Sequence, residues 1–350
     1  MSMGRKSRGL AGLLLACAMG CAAAQAPAPE TALDGGIVAT IQAEDTDIVD
    51  MGVVVVSGRQ PGPGLWRVTR GEHTLHVLGE ISPLPRRMEW MSGDVEAVVA
   101  QSQAILASPS VSVGSGIGRI RGLMLVPSLL RARRIPDDKR LADVVPAEMY
   151  ARWQPLKARY IGRSDRVERW RPIFAAQELY GDAIQQAGLS QDSVVEPLVS
   201  RLARRHDIPV IASNVEIKID DPKALIREFG DGPLADLECF ERTLTRIEND
   251  LQRMGERANA WAGGDIAALR ALPMQSQFAA CVRVLTGSGI AQRLGITDID
   301  RQIEAKWLAS AEDALATHRS TFATLPMALV LAPDGYLATL ADRGYTVEAP

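Results

Sequence analysis

A chain of 350 residues, 47% hydrophobic and 23% charged, can bury a substantial core as one large or two modest domains. Its formal net charge of −3 supplies no concentrated basic face, which argues against a nucleic-acid partner. Two Arg-rich stretches, residues 131–134 and 163–171, are local exceptions that read as solvated helix faces or ion-pair partners.

From the N-terminus, Arg5, Lys6 and Arg8 form a basic segment, and residues 10–19 form an apolar one. Ala22-Ala23-Ala24 supplies a small-x-small cleavage pattern, so residues 1–24 read as an export signal cut after Ala24. The expected location is periplasmic or secreted. Acylation at Cys17 or Cys21 is the lipoprotein alternative. The apolar run is too short for a membrane span, and none is expected in the mature chain. Residues 25–50 are an Ala/Pro-rich lead-in, followed by a folded region over residues 51–350.

Strands are predicted at Gly52–Val56, Leu65–Val68 and Thr74–Leu78, the last two joined as a hairpin through Arg70-Gly71-Glu72-His73. A helix is expected over Glu89–Leu106, capped by Ser92 or Asp94, with Val95, Val98, Val99 and Ile105 on one side. A strand at Ser110–Gly114 leads into Gly114-Ser115-Gly116-Ile117-Gly118-Arg119. That run lacks the Lys-Ser/Thr of a phosphate loop and the full dinucleotide spacing, and reads as a flexible turn.

Residues 130–206 form a helical region. Within it, Trp153, Arg159, Tyr160, Arg163, Arg166, Arg169, Trp170 and Arg171 interleave arginine with aromatic side chains. Such a set suits recognition of anionic or carbohydrate groups and of protein hot spots. It equally suits stacked ion pairs that lock helix packing, with Glu168 as an available partner. The candidate binding residues are Trp153, Arg159, Tyr160, Arg169, Trp170 and Arg171. A helix through Arg201–Arg205 then feeds a strand at Pro209–Ala212, a helix–turn–strand grammar of α/β or α+β type.

The clearest helix spans Leu234–Trp261, with Leu237, Phe240, Leu244, Ile247, Leu251, Met254, Ala258 and Trp261 in strict three-four alternation. Gly263-Gly264 ends it, and Asp265 is placed to cap a following helix. Its stripe reads as half of an internal helical hairpin over residues 234–290, paired with a helix at Gln275–Leu285. An intermolecular seam is the alternative. Cys239 and Cys281, the two cysteines left after signal removal, are a disulfide candidate in an exported chain. Two buried thiols are the alternative. A last strand is expected at Met327–Leu331.

Four histidines, His73, His76, His206 and His318, exhaust the imidazole supply. His73 and His76 are three apart in an extended segment, so their side chains leave opposite faces and cannot chelate together. His206 follows two arginines at a helix end.

Leu65-Trp66-Arg67-Val68, the turn at Gly71, and the strand ending Gly79-Glu80-Ile81-Ser82 resemble the opening of the TraB/GumN family, which includes Tiki-type peptidases and belongs to a Tiki-type/erythromycin-esterase-like superfamily. Pro333-Asp334-Gly335-Tyr336 and Gly344-Tyr345-Thr346-Val347 resemble its far end. The resemblance runs from about Gly64 to the C-terminus. It implies a single domain with a central mixed β-sheet flanked by many helices, α/β in class, and pseudo-symmetric halves that share the sheet. It also implies a metal-dependent hydrolase with two Gly-x-x-His motifs.

This chain departs from that pattern. Ser82 stands in place of the first histidine, and the second maps to about Asp334. The family's acidic residue near positions 105–111 is replaced by Ala107-Ser108-Pro109-Ser110, and Arg319 remains near a family basic or amide position. No metal and no other cofactor is therefore expected. Three readings follow. The first is a non-catalytic exported protein that binds a peptide, envelope polymer or protein partner in the cell envelope, as monomer or dimer. The second is a divergent hydrolase, metal-dependent or based on Ser82 with a distant base such as His318. Its candidate catalytic residues are Glu80, Ser82 and Arg319. The third is an assembly scaffold that uses the 234–261 helix.

Overall fold

The structure is a computed structural model that describes residues 60–86, 88–114, 119–231, 236–274, 294 and 298–350. The strands are β1 (Leu65–Arg70), β2 (His73–Glu80), β3 (Leu84–Pro85), β4 (Ala104–Leu106), β5 (Ser110–Gly114), β6 (Leu189–Ser190), β7 (Val210–Ile211), β8 (Asn214–Lys218), β9 (Ser320–Pro326) and β10 (Thr346–Glu348). The helices are α1 (Gly93–Gln101), α2 (Arg119–Ala132), α3 (Leu141–Val144), α4 (Ala147–Tyr160), α5 (Pro172–Gln186), α6 (Glu196–His206), α7 (Pro222–Asp231), α8 (Leu237–Gly263), α9 (Ile266–Ala271), α10 (Ile299–Thr317), α11 (Met327–Leu331) and α12 (Tyr336–Asp342).

The fold is mixed α/β in a single domain, with a six-stranded sheet in the order β10-β1-β2-β9-β4-β7. β1 and β2 form the expected antiparallel hairpin, in register from Leu65↔Leu78 to Arg70↔His73. Gly71 turns it at φ 61°, a conformation in which a Cβ would be strained. β2, β9, β4 and β7 run parallel to one another, so all four end on the same side of the sheet. The last strand of the chain returns to the first: β10 flanks β1, with Val68 opposite Val347.

Two apolar clusters fill the interior. One lies on the sheet and gathers Trp66, Leu75, Leu78, Leu106, Trp261, Trp307, Phe322 and Leu325. The other is helical and gathers Trp153, Leu179, Tyr180, Phe240, Leu244 and Met254. α8 joins them. At 27 residues it spans about 40 Å, so its first turns serve the helical cluster and its last turns the sheet. The predicted three-four stripe is thus consumed inside the molecule, which removes it as a scaffold surface. Its partner is α5, as in the Tyr180 hydroxyl set 3.9 Å from the Met254 sulfur. Gly264 closes the helix at φ 69°, and the Asp265 side chain accepts from the Ala268 amide, as predicted.

Several expectations need correction. The helix predicted over residues 89–106 is α1 followed by a buried strand. Ala104, Ile105 and Leu106 are all buried between β9 and β7, and sheet pairing overrides their helix-compatible sequence. The strand predicted at Met327–Leu331 is helix α11, and the strand lies one step earlier, at β9. Pro326 marks the switch, since it lacks the amide that would extend the ladder. The expected Gly52–Val56 strand, the turn at residues 115–118 and the Gln275–Leu285 helix lie outside the described residues.

Candidate functional site

The carboxyl ends of β2, β9 and β4 bring together side chains far apart in sequence. In open parallel sheets this edge is where ligands bind. β2 ends in Glu80, paired in register with Pro326 of β9. Its carboxylate is partly buried in a nest of hydroxyls. Ser108, just past β4, donates to Glu80 Oε1 at 3.4 Å, and Ser193 donates to Oε2 at 3.4 Å. Thr324 of β9 shares a 2.9 Å hydrogen bond with the Ser108 hydroxyl.

Ser193 also accepts from the amides of Val195 (3.2 Å) and Glu196 (3.0 Å), and so fixes the entry to α6. Burial raises the Glu80 pKa above the ordinary carboxylate value; hydrogen bonds from Thr324, Ser108 and Ser193 pull it down, and the nearby Glu196 charge adds to the rise. The balance is a carboxyl group inclined to hold its proton.

The backbone beneath this nest is fixed from α8. Trp261 donates its indole N–H to the Gly79 carbonyl at 2.7 Å, and Trp90 meets the Trp261 ring edge-on at 5.6 Å. Gly79 packs closely against the Met327 side chain. A Cβ there would run into Met327 Cε and lie 2.7 Å from its Sδ. Ser82, two residues past Glu80, is exposed, and its hydroxyl donates to the Gln191 carbonyl at 3.3 Å.

The sequence profile of the TraB/PrgY/gumN family matches residues 64–349, from the first strand of the sheet to the last. The chain belongs to this family. Comparison with curated proteins and with solved structures gives no match.

The TraB/PrgY/gumN frame makes the fit of a family-type cation testable on the residues present. Ser82 and Ser108 offer neutral hydroxyls where the resemblance implies histidine and carboxylate, and both hydroxyls are engaged within the protein. Asp334 is exposed in the turn between α11 and α12. Among the described residues, no group of three or more His, Cys, Asp or Glu could hold a metal ion. The histidines lie elsewhere. His73 Nδ1 is 2.9 Å from the His318 carbonyl at the amino edge of the sheet. His76 sits opposite Arg67 in β1, and burial, with help from that guanidinium, lowers its pKa. These donors do not fit the family-type cation site.

Arg319 must be removed from the candidate set. It precedes β9, whose far end carries the partner of Glu80, so it lies about 20 Å away along the strand. Its exposed guanidinium pairs with Glu72 at 3.4 Å. His318, the suggested base for Ser82, is excluded by the same separation.

The Arg/Trp cluster is largely interior. Trp153 is buried and donates to Glu168 Oε1 at 2.9 Å; Tyr150 (3.3 Å) and Lys157 (3.7 Å) converge on the same carboxylate. Arg133 stacks over Trp170 with its guanidinium carbon 3.2 Å from the ring centroid. Arg171, 2% exposed, pairs with equally buried Asp236 at 3.5 Å and hydrogen-bonds the carbonyls of Phe229 and Gly230. Tyr160 is buried, and its carbonyl accepts from Gln186 at 2.7 Å. Of the six binding candidates, only Arg159 and Arg169 are exposed. Trp153, Tyr160, Trp170 and Arg171 bind the helices to one another. Cys239 is buried and disulfide-bonded, while Cys281 lies outside the described residues.

Sequence reasoning named Glu80 and Ser82 but missed Ser108, Ser193 and Thr324 as partners. Two signals were available. Ser193-x-x-Glu196 has the spacing of a capping box, and Thr324 interrupts an otherwise apolar run. Neither says which strand ends converge.

Proposed function

We propose that this chain is an exported member of the TraB/PrgY/gumN family that binds a neutral hydrogen-bonding ligand, a peptide or envelope polymer, at the carboxyl edge of its sheet, without catalysis. The observation that supports this best is the Glu80 nest. Burial raises the pKa of this carboxyl, and the hydroxyls of Ser108, Ser193 and Thr324 around it can each donate to and accept from amide or sugar hydroxyl groups. Cys239 paired with Cys281 would suit the oxidising compartment that the N-terminal signal implies.

The test has two parts. Metal analysis of purified protein is expected to find no stoichiometric Mn, Co or Zn after dialysis, and stoichiometric retention would overturn the reading. Titration with envelope-polymer fragments and short peptides, followed by NMR or calorimetry, is expected to show binding that Glu80→Gln keeps and Glu80→Lys loses.

A second reading is favoured by the same raised pKa: Glu80 could serve as the general acid of a divergent hydrolase. Turnover of a peptide or ester panel that Glu80→Gln abolishes would establish it over the binding reading. Turnover abolished only by Ser82→Ala would point to a serine nucleophile.

A further inference from the structure

Helix α2 is packed inside out. Leu125, Ser128 and Ala132 recur at helical spacing as its less exposed positions, with Ala132 buried. Ala132 meets α7 closely: a Cβ on Gly230 would lie 3.1 Å from the Ala132 Cβ. The outward positions are bulkier and more apolar. Leu123 is 70% exposed, Met124 73%, Val126 43% and Leu130 58%, with Pro127 exposed among them. A soluble helix ordinarily shows the reverse pattern, and a contiguous exposed apolar strip marks an interaction site.

The charge along α2 itself has one sign, with Asp137 and Asp138 following only after its C-terminal turn. Residues 97–136 contain Arg119, Arg121, Arg131, Arg133 and Arg134 and no Asp or Glu, in a chain whose overall charge is −3. Arg133 is committed inward against Trp170, while Arg131 and Arg134 are exposed at the C-terminal end of the strip.

We propose that the outward face of α2 docks on an anionic phospholipid surface. The helix would lie in the plane of the interface, with Leu123, Met124, Val126 and Leu130 at the acyl boundary and Arg131 and Arg134 at the phosphates. An apolar strip with a cationic margin is what such a surface selects. Among the described residues no helix is long and apolar enough to cross a membrane, so the association through this helix is peripheral. A second copy of the chain is a poorer occupant. Two-fold pairing through this face would set its arginine margin against a like margin, with no acidic residue of residues 97–136 to oppose it.

The experiment is co-sedimentation of the full chain with vesicles of phosphatidylcholine alone and of phosphatidylcholine with phosphatidylglycerol. Wild-type chain is expected to bind the anionic vesicles. Leu123→Asp/Leu130→Asp should bind them at least about tenfold more weakly, and Arg131→Glu/Arg134→Glu several-fold more weakly. Both variants alter exposed side chains and should keep the wild-type unfolding midpoint; if the Asp pair does not, Leu123→Ser/Leu130→Ser replaces it.

Three results would overturn the proposal. One is absence of binding to anionic vesicles. Another is binding that the leucine variants leave unchanged, which would place the contact elsewhere in the chain. The third is a dimer in light scattering that the leucine variants split, or capture of an acidic protein without vesicle binding, since either gives the face to a protein partner.

Discussion

Replacing Gly79 with alanine tests the link between the sequence motif and the site above it. The new methyl would meet Met327 Cε and stand 2.7 Å from Sδ, with Trp66 at 3.5 Å closing the other side. Met327 is fully buried, so its thioether has no solvent to swing into. Overpacking of this kind costs about 1–3 kcal/mol. Loss of glycine entropy from the unfolded chain returns about 0.4–1 kcal/mol, for a net destabilisation of at most about 2.5 kcal/mol. Met327→Ala alone opens a cavity and should cost about 2–5 kcal/mol.

In the double variant the methyl introduced at position 79 points into that cavity, so the clash disappears and part of the void is filled. Urea denaturation of the four proteins should therefore show a double variant less destabilised than the sum of the singles by at least about 1 kcal/mol. Additivity within about 0.5 kcal/mol would refute the packing argument and leave the glycine unexplained.

Two further outcomes follow from the charges. Because the folded-state pKa of Glu80 is raised above its ordinary value of 4.5, the folded protein holds a proton that the unfolded chain releases. Stability from this group is complete below that value and is lost as pH rises through the folded pKa, so the midpoint of Glu80→Gln relative to wild type should climb as pH rises from 4.5. A flat difference over that rise would show that burial does not govern this carboxyl. Asp236→Ala removes the partner of buried Arg171 and the acceptor for the Ile173 amide at 2.9 Å. It should cost about 3–5 kcal/mol in urea denaturation, partly recovered by adding Arg171→Met, and a loss below about 1 kcal/mol would contradict the buried-pair reading.

Much of the frame was legible along the chain. The hairpin announced itself through Gly71 between two apolar strands, and α8 through its period, its terminal glycines and the Asp265 cap. The failures have physical causes. Residues 104–106 are too few to show a period, and the apolar run from Leu325 to Ala332 is equally compatible with strand and helix. The Arg/Trp stretch was ambiguous in composition, because a buried ion-pair network and a binding surface use the same residue types. Only the burial of Trp153, Glu168 and Arg171 separates the two.

The sequence by itself determined what is local: the strand pair that leads to Ser82, and the span of α8. Periodicity, capping and the identity of a single residue are all carried by neighbours along the chain. The tertiary structure alone decided that Ser108, Ser193 and Thr324 close around Glu80, that Arg319 belongs to the opposite edge, and that α2 turns Leu123 and Leu130 outward. Those facts depend on strand order and on which helix covers which face. Both are set by the burial of residues more than a hundred positions apart, and no window of sequence contains them.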